Sequence, residues 1–267
     1  MGFLIALPFF STGQEQKDRP TTFEDDLQLK WKTTKDSIQL MAINKLLAPI
    51  EMVVSDRTTN EEIQSFLLPA KDSIVLHAAQ GIELDTLVKK VKKEWKFSYY
   101  IGHPKTISID SNYLYRLPFK AHKKYEVSQG WNGKYSHKGT LSGYALDFQL
   151  NIGEPVHAAR DGIVIKAIDW FTKQGGPELR NMANRIVVLH QDGTLASYVH
   201  LQYKGVLVNV GDSIKAGQKI GVSGLTGHTR GPHLHFVVRK ERDISIPIYF
   251  KGYETIALKR GHRYKVK

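Results

Sequence analysis

The chain has 267 residues and no cysteine. That excludes disulfides, cysteine-ligated zinc and thiol nucleophiles together, so any metal has to sit on histidine and carboxylate. Long apolar runs are missing as well. The stretch Gly2 to Phe10 is too short to span a bilayer, which takes about 20 apolar residues. It ends in Ser11-Thr12-Gly13 and gives way to polar sequence from Gln14 to Asp26, the layout of a secretory signal, although no lysine or arginine precedes it. Residues 1–22 are therefore read as a signal peptide or export segment. The expected location is outside the cytoplasm, periplasmic or associated with the cell envelope, with no integral membrane span beyond that segment.

Negative charge is scarce: 26 Asp and Glu stand against 38 Lys and Arg, a formal net charge of +12. Such a surplus suits nucleic acid, an anionic membrane or anionic wall polymers. The basic residues are spread along the chain, however. The one dense run is Lys89, Lys90, Lys92, Lys93 and Lys96, interleaved with Val91, Trp95 and Phe97. Its alternation predicts a strand with a solvated lysine face, and no nucleic-acid partner is assigned. A His-Glu-x-x-His helix is absent, which excludes the commonest zincin layout. Val208 to Gly221 has the turn rhythm of a biotinyl or lipoyl carrier, but neither Met-Lys-Met nor Asp-Lys-Ala occurs to present the modified lysine.

What is present is mostly strand, and the predicted fold class is all-β. Over 23–103 the runs Leu27–Trp31, Ile38–Ala42, Ile50–Val54, Ile74–Leu76 and Trp95–Tyr100 are separated by turn residues at sandwich-like intervals. One short helical alternative covers Asn60–Phe66. This domain has no convergent His, Asp or Glu cluster, and His77 and His103 read as surface or turn histidines. Residues 104–127 read as a connector, 128–250 as a second, small and tightly turned β domain, and 251–267 as a basic C-terminal tail or strand.

Seven of the eleven histidines fall between His137 and His235. In Gly-Pro-His-Leu-His-Phe, His233 and His235 share one strand face while Leu234, Phe236 and Val238 take the other. At roughly 6 to 7 Å between Cα atoms, one ring suits a metal and the other the metal's open position. In Tyr144-Ala145-Leu146-Asp147-Phe148-Gln149-Leu150 the apolar set shares a face and puts Asp147 on the other. Gln191-Asp192-Gly193 between two apolar runs is a hairpin signal, and strand alternation sets His200 on the face of Tyr198. His190, ending an apolar strand, reads as structural. The glycine-containing loop from Thr172 to Ala183 is expected to border a cleft.

Taken in order, Ser-His (His137), Tyr-Ala-Leu-Asp-Phe (Asp147), Gly-Glu-Pro-Val-His-Ala-Ala, Asn-Arg-Ile-Val-Val-Leu-His, Tyr-Val-His (His200), Val-Gly-Asp-Ser-Ile-Lys-Ala-Gly-Gln-Lys-Ile-Gly and Gly-Pro-His-Leu-His-Phe resemble the LytM/lysostaphin-type zinc metallopeptidases, family M23. The resemblance covers about Ser128 to Val238 and implies one zinc ion on Asp147 and His235, with His200 and His233 as unligated catalytic histidines. The family's first ligand usually lies four residues before the Asp, where this chain has Gly143. A subgroup with a Ser-His-x-Gly loop has a longer spacing, and by that resemblance His137, ten residues before Asp147, is the third ligand. Val237 stands where the family often has Glu, a position that is not a ligand.

The resemblance further implies a zinc endopeptidase that hydrolyses peptide bonds in peptidoglycan cross-links. The stem peptides are then its partner, and the sequence is silent on oligomeric state. The alternative is an inactive relative that binds the cell wall or activates an amidase, which would be expected to have lost ligands.

Overall fold

In the computed structural model, residues 23–267 are described, with the backbone of Leu4–Ile5; the export segment read over 1–22 otherwise lies outside the described residues. Among the described residues no helix is long and apolar enough to cross a membrane. The chain divides into two units, one running to Lys105 and the other starting at Thr106. Both are built mainly of strand.

The first unit is a pair of small antiparallel sheets. One carries β1 (Leu27–Thr33), β2 (Ile38–Asn44) and β5 (Ser73–Ala79), and the other β4 (Glu62–Leu68), β3 (Ile50–Asp56) and β6 (Trp95–Ile101). Alternation on β2 buries Ile38, Leu40 and Ala42, which pack with Ile50, Met52 and Leu68 of the other sheet. Two local expectations are corrected. Lys89 to Lys93 of the lysine run are not strand but α1 (Leu84–Glu94), which buries Leu87 and Val91, four residues and so about one turn apart, and leaves Lys89, Lys92 and Lys93 in solvent, while Lys96 lies on β6 as expected. The helical alternative at Asn60–Phe66 is overturned by β4, paired with β3 from Ile50–Leu68 to Val54–Gln64 and, past a register shift, at Ser55–Glu62. His103 is buried rather than on the surface, and His77 lays its ring edge against Trp95.

The second unit is organised on one long sheet. Its order is Ser213–Ile214, β9 (Gly162–Ile168), β10 (Arg185–Leu189), β11 (Leu195–Val199), β12 (His233–Lys240), β8 (Leu146–Gln149), β7 (Lys124–Gln129) and β13 (Arg263–Lys265). β10 and β11 form the hairpin signalled by Asp192-Gly193, with Arg185 opposite Val199 and Leu189 opposite Leu195. Pro155–His157, Lys219–Ser223 and Leu201–Val206 form a three-stranded sheet. Leu146, Phe148, Tyr198, Leu234 and Phe236 from the long sheet and Val156, Leu201 and Ile220 from the short one share one core. Tyr115, Leu117, Phe119 and Tyr125, from the stretch read as a connector, are buried in that core too. The stretch read as a C-terminal tail supplies β13.

Candidate metal centre

Directly opposed residues of an antiparallel pair face the same way, and the register of three strands builds most of the centre. Asp147 on β8 stands opposite His235 on β12, and Gln149 opposite His233. On the other side of β8, Asp147 stands opposite Gln129 on β7. Leu146, Phe148, Leu234 and Phe236 alternate into the core and anchor the row. Tyr144, expected among them, is instead at the surface with its ring edge on Trp131, because β8 begins only at Leu146.

His137 reaches the row from a loop. The chain leaves β7, turns through 130–138 and enters the single-turn α2 (Gly139–Ser142). The imidazole is fully buried. Its Nδ1 lies 2.9 Å from the Gly130 carbonyl, which can only accept, so Nδ1 carries the proton and Nε2 is a bare lone pair. That Nε2 is 3.0 Å from Asp147 Oδ1 and has no hydrogen-bond partner. His235 Nδ1 lies 2.9 Å from the same oxygen, and donor atoms of His137, Asp147 and His235 all fall within 4.8 Å of one another. A lone pair and a carboxylate oxygen facing each other in the interior repel unless a cation lies between them. Two imidazoles and one carboxylate are a donor set that zinc accepts with a fourth position left open, so the residues fit such an ion.

The two remaining histidines close over this group. Alternation would place His200 beside Tyr198, and the structure separates them. Tyr198 is buried against Phe236 and accepts the Ala159 amide at 2.8 Å. His200, past the end of β11, adopts φ +67°, and the left-handed backbone breaks the alternation and brings its ring 4.6 Å from His233 and 6.1 Å from His235. His200 Nδ1 donates to the Thr226 carbonyl at 2.7 Å, and His233 Nδ1 to the Gly231 carbonyl at 2.8 Å, so both keep an Nε2 lone pair. His233 Nε2 is 3.7 Å from Asp147 Oδ1. Thr226 is itself held: its hydroxyl donates to the Leu201 carbonyl and accepts the Asn184 amide. Within 172–183, Gln174–Gly175 pairs in parallel with Gly227–His228, just after Thr226.

Burial, reinforced by the facing His233 and His235, pushes the pKa of His200 down to about 3, so this ring is neutral. Burial likewise lowers that of His235 against the pull of Asp147. Burial works to raise the Asp147 carboxyl, but the contacts with His137 and His235 and the nearby His233 hold it well below the usual carboxylate range. The centre thus holds an ionised carboxylate, with the neutral ring of His200 nearby.

Gln129 carries no sign of its place in the sequence. Tyr125, Val127 and Gln129 alternate as one face, yet Val127 opposes Phe148 in the core while Gln129 opposes Asp147 in the centre. The extra residue on β7 is a bulge, which turns the strand's end over. Alternation carried through to Gln129 would have put it in the core.

Residues 142–247 match peptidase family M23. Over 94 residues the chain is 43 % identical to a glycyl-glycine endopeptidase of Staphylococcus capitis, covering 35 % of this chain and 23 % of that one. Over 119 residues it is 31 % identical to the peptidoglycan DD-endopeptidase ShyA of Vibrio cholerae, covering 42 % and 24 %. The chain therefore spans about a quarter of the length of these curated relatives. The solved catalytic domain of lysostaphin from Staphylococcus simulans is 30 % identical, covers 47 % of this chain and 88 % of its own, and superposes with a TM-score of 0.35.

Proposed function

We propose that the chain, whose residues 142–247 match peptidase family M23, is a zinc-dependent endopeptidase hydrolysing peptide bonds in peptidoglycan cross-links. The observation that supports this most is the convergence of His137, Asp147 and His235, one donor atom of each lying within 4.8 Å of the others. The Nε2 lone pairs of His200 and His233 stand beside them. An inactive binding relative would not need all five groups.

In this reading His137, Asp147 and His235 hold one zinc ion. When bound, the ion supplies Lewis acidity for a scissile carbonyl and brings the pKa of a water molecule down to about 7. The chain's own residues do the rest. Asp147 neutralises part of the metal's charge, and the backbone carbonyl of Gly130 fixes the tautomer that leaves His137 Nε2 free. His200 and His233 are fixed the same way by Thr226 and Gly231. Each can accept a proton at Nε2 from the attacking water and return it to the departing amine. Once protonated, each becomes a donor toward the oxyanion of the tetrahedral intermediate. The relatives' names supply the substrate: one acts as a peptidoglycan DD-endopeptidase and another on glycyl-glycine bonds. An exported protein would meet that polymer.

The test is mass analysis of peptidoglycan sacculi digested with the full chain, with a chelator-treated control. Cross-linked muropeptides should fall to monomers with glycan strands intact, and chelation should stop it. Shortened glycans, or stem peptides released from intact glycan, would point to a glycosidase or an amidase and overturn the proposal.

A further inference from the structure

His137 sits ten residues ahead of Asp147 in sequence, so a nine-residue excursion has to return its imidazole to a fixed point beside the carboxylate. A backbone bond from the Asn132 N–H to the Gly143 carbonyl at 2.7 Å holds one part of the path, and the residues just before His137 are held by side-chain bonds. Gln129, only 5 % exposed, makes those bonds. Its Nε2 lies 2.9 Å from Asp147 Oδ2 and 2.8 Å from Ser136 Oγ. Its Oε1 accepts the backbone N–H of Tyr135 at 3.0 Å and of Ser136 at 3.3 Å. A carboxylate only accepts, so the amide's NH2 must face Asp147 and its oxygen must face the loop. The side chain fits one way round and uses both ends.

We propose that Gln129 is a positioning residue that ties the loop delivering His137 to the carboxylate of Asp147 and thereby sets how tightly the centre holds its metal. The inference rests on the reading of His137, Asp147 and His235 as ligands. With Oδ2 bound to the amide, Asp147 is oriented so that Oδ1 faces all three imidazoles. The residue immediately before His137 is gripped at both its amide and its hydroxyl. Loop and carboxylate thus move together or not at all. The composition of the loop agrees. A Cβ at position 133 would lie 2.3 Å from Gln129 Cγ, so glycine at that position makes room for the glutamine stem.

Removing an outer partner of a metal ligand lowers metal affinity by about 10–100-fold. For the full chain, competition with a chelating zinc indicator should show Gln129→Ala weakened within that range. Gln129→Glu, of nearly equal size, sets a second carboxylate oxygen against Asp147 Oδ2 and should lose at least as much. Thermal unfolding with and without zinc separates this from a fold defect: the midpoint gain that saturating zinc gives the parent should shrink in both Gln129 variants, whatever their zinc-free midpoints, which a merely structural role does not predict. Gly133→Ala, which displaces the glutamine stem, should weaken zinc in the parent and add little on Gln129→Ala, since both remove one contact set. Two results would overturn the proposal: affinities of both Gln129 variants within about threefold of the parent, well short of the usual outer-partner loss, or an undiminished Gly133→Ala effect on the Gln129→Ala background. His235→Ala separates the two layers of inference. If it keeps zinc, the metal centre itself is misplaced, whereas if it loses zinc while the Gln129 variants do not, only the positioning role fails.

Discussion

His200 and His233 touch neither a carbonyl nor a carboxylate through Nε2 at hydrogen-bond distance, and this gives the first prediction its form. His200→Ala and His233→Ala should keep zinc content and fold but lower turnover on the true substrate by about 10²–10⁴-fold, the usual worth of a positioned acid or base. Near-normal turnover in either variant would remove that residue from the mechanism. A second histidine is expected to act on stability alone. His190 is buried with Nδ1 bonded to the Asp161 carbonyl, and burial pushes its pKa down to about 4. The unfolded chain, with an ordinary value near 6.5, then binds the proton more readily than the folded one. This contribution is complete above about pH 6.5 and is lost as pH falls toward 4, by at most about 3 kcal/mol. Denaturant midpoints at pH 7.5 and 4.5 should converge in His190→Asn relative to the parent, and an equal pH drop in both would sink the idea. At this scale the sequence was most informative where chemistry-bearing residues sit on regular strands. His233, His235 and Asp147 were placed by alternation alone. His200 needed a positive φ and Gln129 needed a bulge, and neither leaves a mark in residue type. His137 was carried by resemblance, since a ten-residue spacing does not say how a loop returns.

Among the elements, the β10–β11 hairpin was legible because Asp192-Gly193 fixes both the turn and the register of the flanking apolar runs. α1 was not, for a reason that its own residues show. Leu84, Leu87, Val88, Val91 and Trp95 follow the helical spacing of three and four, but four lysines lie at intervening positions and also suit a solvated strand face. The choice is settled by tertiary contact, with Leu87 and Val91 buried against the sheets. Burial then implies a cost. Leu87→Ala should destabilise the first unit by about 2–5 kcal/mol. Lys89→Ala and Lys93→Ala, on the exposed face, should fall within about 0.5 kcal/mol of the parent. Zinc content should be unchanged in all three, because every residue of the metal centre lies in the second unit. Equal unfolding midpoints for Leu87→Ala and the lysine variants would mean that the helix does not pack as described.

The charge of the whole chain is unevenly shared between the two units. Residues 106–267 hold 24 Lys and Arg against 12 Asp and Glu, a balance of +12, while residues 1–105 hold 14 of each and balance to zero. The dense lysine run that drew attention in the sequence therefore lies in the neutral unit, and the entire surplus belongs to the unit with the metal centre. On the proposed function, a basic unit meeting an insoluble anionic polymer gains by electrostatic attraction in approach rather than in bond cleavage. The two steps respond differently to salt, since screening length falls from about 10 Å at 0.1 M to about 3 Å at 1 M while contacts inside a buried site are much less affected. Digestion of sacculi should slow severalfold as sodium chloride rises between these concentrations. Under the same conditions, hydrolysis of a soluble, uncharged cross-link peptide should change little. Neutralising four exposed lysines of the second unit, Lys123, Lys134, Lys215 and Lys259, should flatten the salt dependence on sacculi without altering hydrolysis of the soluble peptide. If both substrates slowed in parallel, salt would be acting on the metal centre or the fold. If neither slowed, the surplus positive charge would have no part in reaching the wall.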